Sequence, residues 1–167
     1  MKLLFAIMLI PWFAVGQKCE YDLDEFDKSL KIRKVEQAVE VNKADAIGNG
    51  YLKLILCKYD SSIFFRIAYI RTKAIVIKKS DAFIFLLQEQ DSVKAYPDGV
   101  FSGEKGANTA RTQFVLNATY YFDVYDDIEK MKNKKVKTIR IYHNGVYDDQ
   151  DIKDEFSEAL LNTLKCF

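Results

Sequence analysis

The chain has 167 residues, which is enough for one domain of ordinary size and short for two. Apolar residue types make up 49% and charged types 29%, which excludes an intrinsically disordered chain because enough apolar surface exists to offset the ordering entropy. With only 7 glycines and 2 prolines, collagen-like and low-complexity chains are also excluded. Because 25 basic residues balance 24 acidic ones, no global charge favours nucleic acid as a partner.

Residues 1–16 have the features of a secretory signal peptide. Lys2 supplies the positive start, an apolar run follows, and small residues occupy the two positions that a signal peptidase reads, Ala14 and Gly16. The apolar stretch is about 14 residues, shorter than the ~20 that a membrane-spanning helix needs. We therefore predict cleavage before Gln17 and a secreted or periplasmic protein with no membrane span after signal removal.

Three cysteines remain after that cleavage: Cys19, Cys57 and Cys166. Export permits disulfides, and an odd count leaves at least one thiol free or paired between chains. Cys19 and Cys166 lie at opposite ends, so a bridge between them would close a loop of nearly the whole domain and contribute about 4–5 kcal/mol. The alternative is three reduced, structurally inert thiols. No cysteine has a histidine nearby in the sequence, so we expect no catalytic thiol.

Residues 17–167 are predicted to form one exported domain, and most of its patterns indicate strands. Residues 20–29 and the extended pattern after them fit either a strand pair or a short helix followed by a strand. Gly48–Gly50 is a turn signal, and residues 102–109 are typical of a mobile loop. The predicted strands in this part of the chain are 51–59, 63–70, 74–78, 82–88, 93–96 and 114–124.

The C-terminal part combines helix and strand signals. Residues 126–133 suit a short helix, and residues 136–143 alternate as a strand before the Asn144-Gly145 turn. From Ile152 to Leu164 apolar residues recur at helical spacing behind the acids of 148–151, and this apolar stripe must be buried on the sheet. The predicted fold class is α+β, an antiparallel β-meander or sandwich-like sheet of about six to eight strands packed by a C-terminal helix.

The stretch from Thr119 to Asp151 carries a family resemblance. It contains a tyrosine-rich strand, a helix with an acidic start, the segment 137–142 (Lys-Thr-Ile-Arg-Ile-Tyr), an Asn-Gly turn and an acidic cluster. In this order the features resemble the C-terminal half of small, uncharacterised exported bacterial proteins, and the Asp-Glu-Phe start at 24–26 is similar too. The resemblance implies an exported bacterial protein with a β-rich core and a C-terminal helix, and it implies no reaction.

The sequence contains no complete catalytic or cofactor-binding set. His143 is the single histidine, and beside an Asn-Gly turn we expect a solvated loop residue rather than a base. No serine lies in a Gly-x-Ser-x-Gly elbow, and Gly103–Gly106 lacks the Gly-Lys-Ser/Thr ending of a phosphate loop. We therefore predict no catalytic residue and no cofactor, and we favour a non-enzymatic protein.

Acidic clusters are the remaining candidates for metal or acid–base chemistry. Calcium takes about six to eight oxygen ligands from a tight loop, and no cluster has the EF-hand spacing. Calcium at the first or third cluster is the alternative to helix capping and solubility, and we predict no metal site. Two of these acids would suit a small carboxylate-dependent hydrolase if they lay about 5–10 Å apart in a cleft. The clusters are Asp22/Asp24/Glu25/Asp27, Asp123/Asp126/Asp127/Glu129 and Asp148/Asp149/Asp151/Asp154/Glu155.

Tyrosines supply the last candidate site. Exposed tyrosines bring contact area at low entropic cost, so Tyr120, Tyr142 and Tyr147 form a candidate interaction surface. The alternative is that they line a thin β core. The favoured function is an exported, non-enzymatic domain that binds a protein or envelope component through a sheet face or an edge strand. Alternatives are the hydrolase described above and a β cup for an apolar ligand, which is suggested by Phe64, Phe65, Phe83 and Phe85.

Removal of the signal peptide has a spectroscopic consequence. Trp12 is the only tryptophan of the chain, and cleavage before Gln17 removes it. We expect protein isolated from its native cell to begin at Gln17 by mass spectrometry and to fluoresce from tyrosine alone. Intact Met1 or a tryptophan emission band on that material contradicts the prediction.

Overall fold

The computed structural model of the chain describes residues 19–28, 32–42, 51–106, 113–123 and 126–167. Three predictions fall on other residues. They are the signal peptide of residues 1–16 with its cleavage site, the Gly48–Gly50 turn, and residues 107–109 of the predicted loop. These three predictions lie outside the described residues.

In the described part of the chain, ten strands form one antiparallel sheet and two more form a small second sheet. The strands are β1 (Leu23–Asp27), β2 (Ile32–Asn42), β3 (Leu52–Tyr59), β4 (Ser62–Arg71), β5 (Val76–Ile77), β6 (Phe83–Leu87), β7 (Ser92–Pro97), β8 (Phe101–Ser102), β9 (Glu104–Lys105), β10 (Phe114–Phe122), β11 (Val136–His143) and β12 (Val146–Asp151). The large sheet has the order β1-β2-β3-β4-β10-β7-β6-β11-β12, with β9 beside β10, and β5 pairs with β8. With two helices, α1 (Asp126–Asn133) and α2 (Asp154–Leu164), the chain has an α+β fold.

The predicted number of strands, about six to eight, is wrong. Two of the additional strands, β8 and β9, are short and lie at the start of the predicted loop 102–109. A third, β12, lies where acids were expected to begin a helix. The ambiguous region 20–29 contributes β1, which pairs with β2 from Leu23↔Glu36 to Asp27↔Ile32. Of these strands only β8 pairs with a distant one, β5, whereas β1, β9 and β12 pair with their neighbours in the chain. Their segments are too short or too acidic to show the apolar alternation that marks a strand.

The acids of 148–151 belong to a strand rather than to a helix N-terminus. Asn144 (φ 50°) and Gly145 (φ 78°) form a two-residue turn with positive φ at both positions, the geometry that hairpins favour. This turn sets β12 antiparallel to β11, from His143↔Val146 to Thr138↔Asp151. The helix α2 therefore begins at Asp154, after the hairpin ends.

The large sheet curls until its two halves face each other. The ring centroid of Phe65 on β4 lies 5.0 Å from that of Phe83 and 5.4 Å from that of Phe85, both on β6. Strands β10 and β7 stand between β4 and β6 in the sheet order. A flat sheet would therefore hold β4 and β6 about 14 Å apart, at ~4.8 Å for each step between strands. The inward residues of the two halves, Tyr120 of β10 among them, fill one core.

Helix α2 packs against β2 and β11 and closes one side of this core. Leu160 and Leu164 are buried in the same apolar cluster as Val35 and Val39 of β2. The hydroxyl of Ser157, which is also buried, donates a hydrogen bond of 2.8 Å to the carbonyl oxygen of Val136. The helical spacing seen in the sequence therefore marks the face that the sheet covers.

The two ends of the described chain are joined. The Sγ atoms of Cys19 and Cys166 are 2.11 Å apart, and this disulfide links positions separated by 147 residues. The hydroxyl of Tyr21 donates to the carbonyl oxygen of Cys166 at 2.9 Å, which adds a second tie at the same place. Cys57 is a free, buried cysteine, and burial raises the pKa of its thiol to about 11, so this thiol is a poor nucleophile.

The length of the closed loop sets the expected effect of the disulfide on stability. We expect the double variant Cys19→Ser/Cys166→Ser to lower the free energy of unfolding by about 5 kcal/mol, because the reduced unfolded chain gains loop entropy. Urea denaturation of the mature protein measures this loss. Wild-type protein in excess reductant is the matched control and should show the same midpoint as the variant. Equal stability of the oxidised wild type and the variant would contradict the prediction that the disulfide stabilises the fold.

Candidate functional site

The hairpin of β11 and β12 has two faces of different chemistry. Because side chains alternate along a strand, cross-strand partners share a face and successive pairs point in opposite directions. The outer face carries the pairs Tyr142↔Tyr147, Arg140↔Asp149 and Thr138↔Asp151. The inner face carries the pairs His143↔Val146, Ile141↔Asp148 and Ile139↔Gln150.

The outer pairs form an ordered row, which we call the outer ladder: Thr138, Arg140, Tyr142, Tyr147, Asp149 and Asp151. Arg140 donates from Nε and Nη2 to the two carboxylate oxygens of Asp149, at 2.7 and 2.8 Å. Its guanidinium carbon lies 4.1 Å from the ring centroid of Tyr147, a cation–π distance. The rings of Tyr142 and Tyr147 have centroids 5.5 Å apart. The ladder therefore presents aromatic area that neighbouring side chains hold in place.

The outer ladder combines an ordered charge pair with an exposed aromatic ring. The hydrogen bonds from Arg140 hold the pKa of Asp149 below its ordinary value, so this carboxylate stays ionised. Tyr147 of the ladder is 50% exposed; Val146 beside it, which belongs to the inner-face pairs, is 57% exposed because it lies at the tip of the hairpin. Large side chains exposed together next to an ordered ion pair are typical of contact surfaces.

The inner face holds a second group of polar side chains, which we call the Asp148 cluster: Tyr69, Arg71, His143, Asp148 and Gln150. Asp148 is its centre. Its Oδ2 atom lies 2.7 Å from His143 Nε2 and accepts a 3.1 Å hydrogen bond from the Tyr69 hydroxyl. Its Oδ1 atom accepts a hydrogen bond of 3.3 Å from Arg71 Nη2. Since Tyr69 and Arg71 lie on β4, this cluster joins β12 to the opposite half of the curled sheet.

Burial and hydrogen bonds keep the cluster in one arrangement. Burial, together with the charge of Asp148, raises the pKa of Tyr69 far above its usual range, so this hydroxyl remains a donor. Arg71 Nη1 donates to the same Tyr69 oxygen at 3.1 Å, and Gln150 Nε2 donates to it at 3.4 Å. The network ties the hairpin to β4 and orients Asp148.

His143 was expected to be a solvated loop residue, and that expectation is wrong. It is the last residue of β11, it points to the inner face, and it is only 8% exposed. The curl of the sheet covers this position, which the neighbouring Asn-Gly turn does not reveal. Its Nδ1 atom is buried and has no hydrogen-bond partner within the described segments. A general base must reach the proton that it removes, so this buried atom favours a structural role for His143.

The tip of the hairpin is fixed by Asn144. Its side-chain Oδ1 accepts from the Val76 amide at 2.9 Å, and its Nδ2 donates to the Ala74 carbonyl oxygen at 2.9 Å. Its own backbone amide donates to the Val76 carbonyl oxygen at 3.0 Å. These three bonds dock the turn onto the segment that contains β5.

Only two of the three predicted surface tyrosines come together. Tyr142 is half-buried and Tyr147 is exposed, and both lie on the outer ladder. Tyr120 is fully buried and stacks on Phe65 with centroids 5.4 Å apart, so its assignment to an exposed surface is wrong. The reason is that Tyr120 faces the core side of β10, where the sheet curls. Sequence reasoning also missed Arg140, although it alternates in phase with Tyr142.

The acidic clusters are dispersed in the structure. Asp24 pairs with Arg33 at 2.6 Å, and within α1 Asp127 pairs with Lys130 at 3.0 Å. Asp148 and Asp149 point to opposite faces of β12. In the residue ranges described above, no group of three or more His, Cys, Asp or Glu side chains is arranged to hold a metal ion.

The phenylalanines proposed for an apolar cup occupy two different sides of the sheet. Phe65, Phe83 and Phe85 pack directly on one another, with the centroids of Phe83 and Phe85 5.0 Å apart. Phe64 points the other way and stacks on Tyr121 at 5.3 Å. The inward rings fill the space between the two halves of the sheet, which favours a packed core over a cup.

No protein-family model, curated protein or solved structure matches this chain. Of the described helices, neither has the length and apolar character that crossing a membrane requires. They contain 8 and 11 residues, compared with the ~20 residues of a spanning helix.

The two neighbouring acids of β12 offer a matched test of the two faces. Asp148→Asn should lower the free energy of unfolding by about 2–3 kcal/mol, because it leaves the partly buried Arg71 without its carboxylate. Asp149→Asn, which removes an exposed carboxylate by the same substitution, should cost less than half as much. Urea denaturation of both variants measures the difference. Similar losses would show that the Asp148 cluster does not anchor the hairpin.

Proposed function

We propose that the chain is an exported, non-enzymatic binding domain that contacts a protein or envelope component through the outer ladder. The observation that carries this proposal is the exposed ring of Tyr147, held between Tyr142 and Arg140 on the last strand of the sheet. Tyrosine and arginine are the residue types that contribute most to binding at protein interfaces. Here both occupy one small, ordered surface.

Preorganisation supports this function. Binding costs the entropy of each side chain that must be ordered, and a surface ordered beforehand avoids that cost. The bidentate pair of Arg140 and Asp149 orders the outer ladder from within. The Asp148 cluster and Asn144 fix the strand and the turn that carry it.

Two features support export. The N-terminal sequence has the charge, apolar run and small residues of a signal peptide that is cleaved before Gln17. The disulfide between Cys19 and Cys166 is of a kind that persists in oxidising compartments. The place of action proposed here is therefore outside the cytoplasm, in a secreted or periplasmic form.

Capture of a partner by the mature chain tests the proposed surface. We expect protein that carries an affinity tag to recover a reproducible partner from the native envelope fraction, identified by mass spectrometry. The double variant Tyr142→Ala/Tyr147→Ala should recover at least ~10-fold less of that partner, because the aromatic centre of the surface is lost.

Tyr121→Ala is the matched control for this experiment. Tyr121 is 43% exposed, close to the 50% of Tyr147, but it lies on β10, away from the outer ladder. The control should recover as much partner as the wild type, and all three proteins should have similar melting temperatures. Absence of any reproducible partner, or equal recovery by the double variant, contradicts the proposal.

A further inference from the structure

Strand β12 has one edge that no other described strand covers. It is the last strand in the order of the large sheet and pairs only with β11 among the described strands. An uncovered edge offers backbone N–H and C=O groups to an incoming strand. The residues that offer these groups follow from the register of the hairpin.

The register directs the backbone N–H and C=O groups of three β12 residues toward the open edge of the sheet. In a hairpin with a two-residue turn, the flanking pair, here His143↔Val146, exchanges backbone hydrogen bonds, and every second pair does the same. The amide of Ile152 donates to the carbonyl oxygen of Lys137 at 2.8 Å, which continues this alternation at the far end. The amides and carbonyls of the intervening residues therefore point away from β11. These residues are Tyr147, Asp149 and Asp151.

The charge along this edge is graded. The carboxylate of Asp149 is neutralised by Arg140 and that of Asp148 by Arg71. Asp151, the last residue of β12, accepts a hydrogen bond of 2.9 Å from the Thr138 hydroxyl and makes no ion pair with a described residue. The edge therefore has an aromatic end at Tyr147 and an acidic end at Asp151.

This gradient disfavours a second copy of the chain as the occupant of the edge. An antiparallel pair of β12 strands centred on Asp149 would set the two Asp149 side chains opposite each other, and would set Asp151 of each copy opposite Tyr147 of the other, so that neither Asp151 meets a basic group. An edge that charged residues protect against pairing would not also expose large apolar side chains, whereas this edge exposes Val146 and Tyr147. A segment with a basic residue opposite Asp151 and an aromatic residue opposite Tyr147 complements both ends of the edge.

We propose that β12 accepts a basic, extended segment of a partner protein as an additional antiparallel strand. This inference rests on the proposed function and specifies the chemistry of its partner. Antiparallel pairing continues the arrangement of the whole sheet and is the more stable of the two directions. A basic residue of the segment lies opposite Asp151, and an aromatic residue four positions later lies opposite Tyr147 on the same face.

Synthetic peptides test this pairing directly. The probe is the peptide acetyl-Thr-Lys-Thr-Val-Thr-Phe-Thr-amide, which places Lys and Phe at the required spacing. Titration into isotopically labelled mature protein, followed by NMR, should shift the amide signals of β12. A peptide with Glu in place of Lys should bind about fivefold more weakly. A peptide N-methylated at Lys, Val and Phe, which lacks all three pairing donors, should not bind.

Charge reversal on the protein provides the complementary test. Asp151→Lys should invert the preference, so that the Glu peptide binds more tightly than the Lys peptide. Glu25→Lys makes the same change on β1, the strand at the opposite edge of the sheet, and should leave both affinities unchanged. Failure of the Lys peptide to bind, equal binding of the N-methylated peptide, or an unchanged preference in Asp151→Lys each overturns the proposal.

The outcome separates this inference from the function on which it rests. If Tyr142→Ala/Tyr147→Ala abolishes partner capture while no peptide binds β12, the outer ladder binds its partner through side chains and the added strand is wrong. If the peptides bind as expected but the tyrosine variant still captures its partner, β12 is a strand template and the outer ladder is not the partner's contact surface.

Discussion

Packing of Phe65 against Phe83, Phe85 and Tyr120 is the contact on which the rest of this structure depends. These rings come from three strands, and they can meet only if the large sheet curls. The curl makes one core from two halves of the sheet and leaves α2 to cover its open side. Aromatic burial of this size is among the larger apolar contributions to folding, so the curl is built into the most stable part of the fold.

The curl also creates the candidate site. It brings β4 opposite β12, so that Tyr69 and Arg71 meet Asp148 although 77 or more residues separate them in the chain. Asp148 and Asp149 are neighbours with different roles because strand geometry turns successive side chains to opposite faces. One anchors the hairpin from inside, and the other orders Arg140 and Tyr147 outside. The binding surface proposed here is therefore supported by the core beneath it.

Much of the local structure is visible in the sequence, whereas the arrangement of its faces is not. The helix predicted at 126–133 and the turn at Asn144-Gly145 both have the expected bounds, because capping charges and positive-φ residues are local signals. Alternation predicts two faces of a strand but not which face a distant strand covers, so it leaves Tyr120 open between surface and core and wrongly suggests a solvated His143. Acids typical of a helix start suit an edge strand equally well, and only the register with β11 distinguishes the two. The insertion of β10 between β4 and β7 is non-local and leaves no mark on any single segment.

Distances between aromatic rings test the curl most directly. In the mature protein in solution, the ring protons of Phe65 should show strong nuclear Overhauser effects to those of Phe83 and Phe85, whose ring centroids lie 5.0 and 5.4 Å away. An open sheet holds β4 and β6 about 14 Å apart, too far for such effects. Observation of these contacts is the result expected of the fold described here. Their absence, with β4 and β10 still paired, would contradict the curl and remove the support for the candidate site.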